Sequence, residues 1–122
     1  FDFAALDQAA AKLKTSARAY DDAVSEGGAH LTPANLVKLQ GLMQSLDQTL
    51  LVDQGLPYRS WYKNIIYAPG RFTGYGAKTL PGIREAIEEE RWADVNKYIG
   101  LTAAALNNYS ARLDQAAAVL KK

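Results

Sequence analysis

WADVNKYIGLTAAALNNYSARLDQAAAVL, residues 92–120, puts apolar or small side chains at Trp92, Val95, Ile99, Thr102, Leu106, Tyr109, Leu113, Ala116 and Leu120. Steps of three and four over this length predict one face of a long helix. Lys121-Lys122 follow, cations suited to a helix C-terminus. Extending the stripe back from Trp92 lands on Glu88 and Glu85, whereas a short helix from Gly82 to about Glu88 would turn Ile83, Ala86 and Ile87 inward. The apolar face therefore changes phase, which predicts a break near residues 88–91.

Further upstream, Leu36, Leu39, Met43, Leu46 and Leu50 form a second long stripe. Thr32-Pro33 opens it as an N-cap followed by proline at the first helical position. A third stripe runs Leu6, Ala10, Leu13, Ala17, Tyr20, Val24, and Gly27-Gly28 closes it with the residue type that tolerates a left-handed cap. The strings Leu-Asp-Gln-Ala-Ala-Ala at 6–11 and 113–118 reflect shared alanine-rich composition, because their flanks differ. Small side chains let helices approach closely, so the first and last helices are expected to pack tightly, against each other or across a symmetry axis. The fold class expected is all-α, a four-helix bundle forming one domain over 1–122. A long irregular loop, about residues 55–80, separates its second and third helices. Pro57, Pro69 and Pro81 with Gly55, Gly70, Gly74, Gly76 and Gly82 break any regular element there.

Composition excludes several functions. The formal net charge is +1, so no global field draws the chain to nucleic acid or an anionic membrane. No cysteine is present, which rules out disulfides and thiolate metal sites. No apolar run approaches the ~20 residues of a membrane span. The single histidine, His30, lies in the expected turn between the first two helices and cannot assemble a zinc site alone. Glu88-Glu89-Glu90 reads as a solvated acidic face, since di-iron bundles need Glu-x-x-His pairs that are absent here. The chain alone is therefore expected to be no enzyme and to hold no cofactor.

The loop differs from the rest. Arg59, Lys63, Arg71 and Lys78 stand there without any acidic residue, interleaved with Tyr58, Trp61, Tyr62, Tyr67, Phe72 and Tyr75. Such a mixture suits plugging the bundle end, sealing an interface, or binding an anion or single-stranded nucleic acid.

The string GLPYRSWYKNIIYAPG at 55–70, followed by Thr73-Gly74-Tyr75-Gly76 and Lys78-Thr79-Leu80-Pro81-Gly82-Ile83, resembles the transferrin-receptor-like dimerisation domain. This is the C-terminal helical domain of glutamate carboxypeptidase-like zinc peptidases and of the transferrin receptor. The resemblance is dense over 55–87 and looser over 35–54 and the last helix. It implies a four-helix bundle that pairs two subunits and packs on a peptidase domain of the same parent chain, where two zinc ions are expected. It also implies that the long loop reaches the peptide substrate, with a Lys-Tyr pair holding the substrate's C-terminal residue in glutamate-cleaving members. Gly74-Tyr75 falls on that pair: Tyr75 matches and Gly74 does not, which removes a partner for a side-chain carboxylate. Arg71 and Lys78 are the cations near enough in sequence to replace it. Partners implied are a second copy, the peptidase domain and peptide substrate, with no nucleic acid and no membrane contact. Resembling proteins are mostly exported or cell-surface. The alternative reading is a non-enzymatic binding module whose basic aromatic loop, 55–80, takes an anionic ligand or single-stranded nucleic acid.

Overall fold

The computed structural model describes residues 2–27, 31–51, 55, 67–69 and 77–121. Among them are four α-helices: α1 (Ala4–Gly27), α2 (Pro33–Gln44), α3 (Pro81–Glu88) and α4 (Trp92–Leu120). A 3-10 turn, Leu46–Leu50, follows α2, and two short strands, β1 (Tyr67–Pro69) and β2 (Ala77–Thr79), lie within the loop. The architecture is all-helical, with α1, α2 and α3 each packed against α4.

The predicted features of α4 hold for most of its length. Val95, Ile99, Thr102, Leu113, Ala116 and Leu120 are buried, joined by Tyr98, Ala103, Ala105, Ser110 and Ala117. Trp92 is not in the core; it is 49% exposed at the first turn. Leu106 and Tyr109 are only half-buried.

On α1 the buried face is rotated from the expected stripe. Ala9, Ser16 and Ala23, seven residues apart, are buried, with half-buried Leu6, Leu13 and Tyr20 beside them. Ala10 and Val24 face solvent instead. Leu6 packs on a cluster containing Val95, Ile99 and Ala105, while Ala23 packs with Ala117 and Leu120. The two helices therefore run parallel along a seam of small residues, the geometry a seven-residue repeat favours. Their ends meet so closely that a β-carbon on Gly27 would lie 2.2 Å from the Leu120 carbonyl oxygen.

The second long stripe does not form one helix. Thr32 caps α2 as expected, its hydroxyl accepting from the Asn35 N–H at 3.1 Å, but α2 ends at Gln44. Ser45 then donates its hydroxyl to the Leu42 carbonyl and Thr49 to that of Leu46. Such local side-chain bonds compete with the α-helical ladder and tighten the chain to a 3-10 turn. Leu46 is buried, whereas Leu36 is exposed.

The break between α3 and α4 falls where the phase change predicted it. The Arg91 N–H donates to the Ala86 carbonyl and the Glu90 N–H to that of Ile87, with Glu90 at φ 56°. That is a Schellman turn with glutamate where glycine is usual. Ile83 and Ala86 are buried as expected, but Ile87 is 40% exposed. Glu85 takes the inward position instead, because α3 presents its 81–83 and 85–86 side to α4. Arg91 ties the corner through Glu89 at 3.0 Å and through Asp94. Burial works against the Arg91 charge, but hydrogen bonds and charges from Glu89 and Asp94 outweigh it and hold its pKa above the ordinary arginine value. The backbone strain at Glu90 has a measurable consequence. Glu90→Gly should raise stability by about 0.5–1 kcal/mol, the left-handed penalty minus glycine's entropy cost. An unchanged or lower midpoint in thermal unfolding would count against this.

Candidate functional site

Two regions of the surface stand out, one at each end of α4. The first is the base of the long loop. Gly55 is buried with φ 66°, a conformation that favours glycine. Its carbonyl accepts a 2.6 Å hydrogen bond from the Tyr98 hydroxyl, so the start of the loop is fastened to the N-terminal half of α4. The Tyr98 ring lies over Gly82, where a β-carbon would come within 2.1 Å of Cδ1. Gly82 is buried in the first turn of α3, so the chain returns from the loop beside the point where it left.

Between these anchors β1 and β2 pair antiparallel, with Tyr67 opposite Thr79, Ala68 opposite Lys78 and Pro69 opposite Ala77. This ladder departs from the irregular loop expected over 55–80; three-residue strands are too short to show an alternation in the sequence. Lys78 thus has a defined place in β2, opposite Ala68. Arg71, Gly74 and Tyr75 lie outside the described residues, as do His30, Pro57 and Trp61. The described residues therefore bring none of the four candidate site residues together.

The second region is a face with little cover. No residue of α2 is buried, and Val37 is 68% exposed. An open groove of about 520 Å³ runs between α2 and α4, walled by Val37, Gly41, Leu42, Ala118 and Val119, with Lys38, Arg112 and Gln115 at its rim. Arg112 and Gln115 also border an adjoining polar recess that includes Gln48, Thr49 and Asn108. Periodicity alone assigns the apolar content of α2 to the core. Two signals point elsewhere: Val37 stands off the stripe, and Gly41 interrupts a helix that has no steric need of it.

Among the described residues no group of three or more His, Cys, Asp or Glu side chains could hold a metal ion. Glu88 pairs with Arg84 at 3.3 Å and Glu89 with Arg91, which accounts for two members of the acidic run. Among the described residues no helix is long and apolar enough to cross a membrane.

Comparison with known proteins adds a family. The model of the transferrin receptor-like dimerisation domain matches residues 1–114. A probable glutamate carboxypeptidase of Arabidopsis thaliana is 29% identical over 80 residues, covering 60% of this chain and 12% of the plant protein. A probable glutamate carboxypeptidase of Arthroderma benhamiae is 40% identical over 45 residues, covering 37% of this chain and 6% of the fungal protein. The chain thus spans only a small part of the length of these relatives.

Proposed function

Because the chain belongs to the transferrin receptor-like dimerisation domain family, we propose that it pairs two copies of a glutamate carboxypeptidase-like zinc peptidase. In this reading the domain supplies association, and a peptidase domain in the same parent chain supplies two zinc ions and the chemistry. The observation that carries it is the family match over residues 1–114, strengthened by relatives named as probable glutamate carboxypeptidases.

The loop has a second task in this proposal: it completes the substrate pocket of the peptidase domain. The bond from Tyr98 to Gly55 and the β1–β2 ladder support it, because a segment that positions substrate groups needs a rigid base. Tyr75 is the residue proposed to meet the substrate's C-terminal residue. Gly74 stands where a lysine would pair with a side-chain carboxylate, so preference for glutamate at that position should be weak unless Arg71 or Lys78 supplies the charge.

Sedimentation of the full-length protein tests the association. Subunits should be paired at micromolar concentration, since obligate dimer interfaces bury roughly 2,000 Å² or more. A full-length protein that sediments as a monomer there refutes the reading.

A further inference from the structure

We infer that Tyr98, on α4, is a positioning residue for the substrate-contacting loop, holding both of its ends through one side chain; this rests on the pocket-completing reading of the loop above.

Tyr98 stands off the stripe of Trp92, Val95, Ile99 and Thr102, yet it is only 2% exposed. A phenol buried this deeply normally finds a partner for its hydroxyl. Here the partner is a backbone carbonyl far away in the chain, that of Gly55, at 2.6 Å. Packing alone would be served by phenylalanine. What the hydroxyl adds is a fixed distance between α4 and the residue from which the loop departs.

The ring holds the other end. A β-carbon on Gly82 would meet Cδ1, Cγ and Cε1 of Tyr98 at 2.1, 2.6 and 2.8 Å, so the ring lies directly on the backbone where the loop returns. Two buried glycines thus flank the loop, and one side chain meets both. The ring itself is enclosed by Ile83, Ala86, Val95 and Ile99, and the Lys97 ammonium, 5.7 Å from its centroid, adds a cation–π contact. α3 packs in turn on β1 and β2, so the ladder within the loop is tied to the same anchor. A side chain that meets substrate must be held within about 0.5 Å of its productive position, and a misplacement of ~1 Å can cost up to a hundred-fold in rate. Tyr75 is reached from Gly55 on one side and from Gly82 on the other. Play at either end is therefore passed on to it.

Tyr98→Phe in the full-length protein removes the hydroxyl and keeps the ring. With N-blocked dipeptides ending in glutamate and in leucine as probes, it should raise KM about three- to ten-fold and leave kcat within about two-fold. Sedimentation and helical circular dichroism should not change. Ile99→Val trims the same cluster without altering the hydroxyl, so it should lower the unfolding temperature and leave KM at the parental value. Amide hydrogen exchange gives a readout that needs no turnover: over 56–79 it should be at least ~three-fold faster in Tyr98→Phe than in Ile99→Val. Equal exchange there in the two variants overturns the proposal whatever the kinetics, and so does a KM that rises as much in Ile99→Val. Parental KM for Tyr98→Phe with Tyr75→Ala impaired also overturns it, and leaves the pocket reading standing. Parental kinetics for Tyr75→Ala overturn the pocket reading itself, and this proposal with it.

Discussion

Replacing Gly82 with alanine is expected to destabilise the domain by about 2–4 kcal/mol, the sum of overpacking and one broken buried hydrogen bond. The added β-carbon would sit 2.1 Å from Cδ1 and 2.6 Å from Cγ of Tyr98, distances at which something must move. The ring has little freedom to do so. It is buried in the cluster of Ile83, Ala86, Val95 and Ile99, and its hydroxyl is committed to the Gly55 carbonyl. Rotating the ring away breaks that bond; moving α3 opens the cluster. Either route also loosens the base of the loop. For a domain of this size the midpoint of thermal unfolding should fall by roughly 10 °C. Gly100→Ala is the control, because a β-carbon there meets nothing within 4 Å, and the change should raise stability by up to ~1 kcal/mol through helix propensity. A Gly82→Ala midpoint within about 2 °C of the parent would show that the Tyr98 ring is not pinned as described.

The largest effect on activity is expected at Tyr75 in the full-length protein. Flanking glycines, Gly74 and Gly76, let the backbone turn sharply and approach a ligand. In the proposed pocket the hydroxyl donates to the substrate's terminal carboxylate and the ring covers its apolar surface. Tyr75→Phe removes only the hydrogen bond to a charged partner, worth about 1.5–3 kcal/mol, or roughly a ten- to hundred-fold drop in kcat/KM. The loss should appear mainly as a raised KM. Tyr75→Ala removes the ring as well and should be worse. Steady-state kinetics on peptide substrates, with dimer and fold verified, decide the matter: two variants with parental kinetics would make Tyr75 a structural residue.

Much of the helical layout is legible from residues alone, and the failures have physical causes. The cap at Thr32-Pro33 and the break at 88–91 are local events, set by a hydroxyl and by a change of apolar phase, and both appear where predicted. The face of α1 is shifted by one position because alanine is ambiguous: Ala9 and Ala10 are identical as letters, and only contact with α4 selects Ala9. For α2, hydrophobicity marks residues that avoid water without saying whose surface covers them, so Leu36 reads as core although it is exposed. Ile87 and Trp92 depart from expectation for a related reason, since both flank a tight turn where the helix axis changes direction. The role of the loop is legible only through resemblance. Basic and aromatic residues in that mixture fit several functions, and the pocket role remains a proposal drawn from the framework of 55–83.

The parallel seam between α1 and α4 also bears on how the chain folds. Parallel neighbours cannot be joined by a short turn, and here α1 and α4 lie about 65 residues apart in sequence, against about four between α3 and α4, a difference of roughly 2.5 kcal/mol in loop-closure entropy. The α3–α4 corner thus has the lower closure cost, being local in sequence, and it holds the cluster around Tyr98. Docking α1 requires the whole intervening chain to be gathered first. A seam of Ala9, Ser16 and Ala23 offers little apolar area to drive that docking early; its return comes from close contact along the full length, which exists only once both helices are in register.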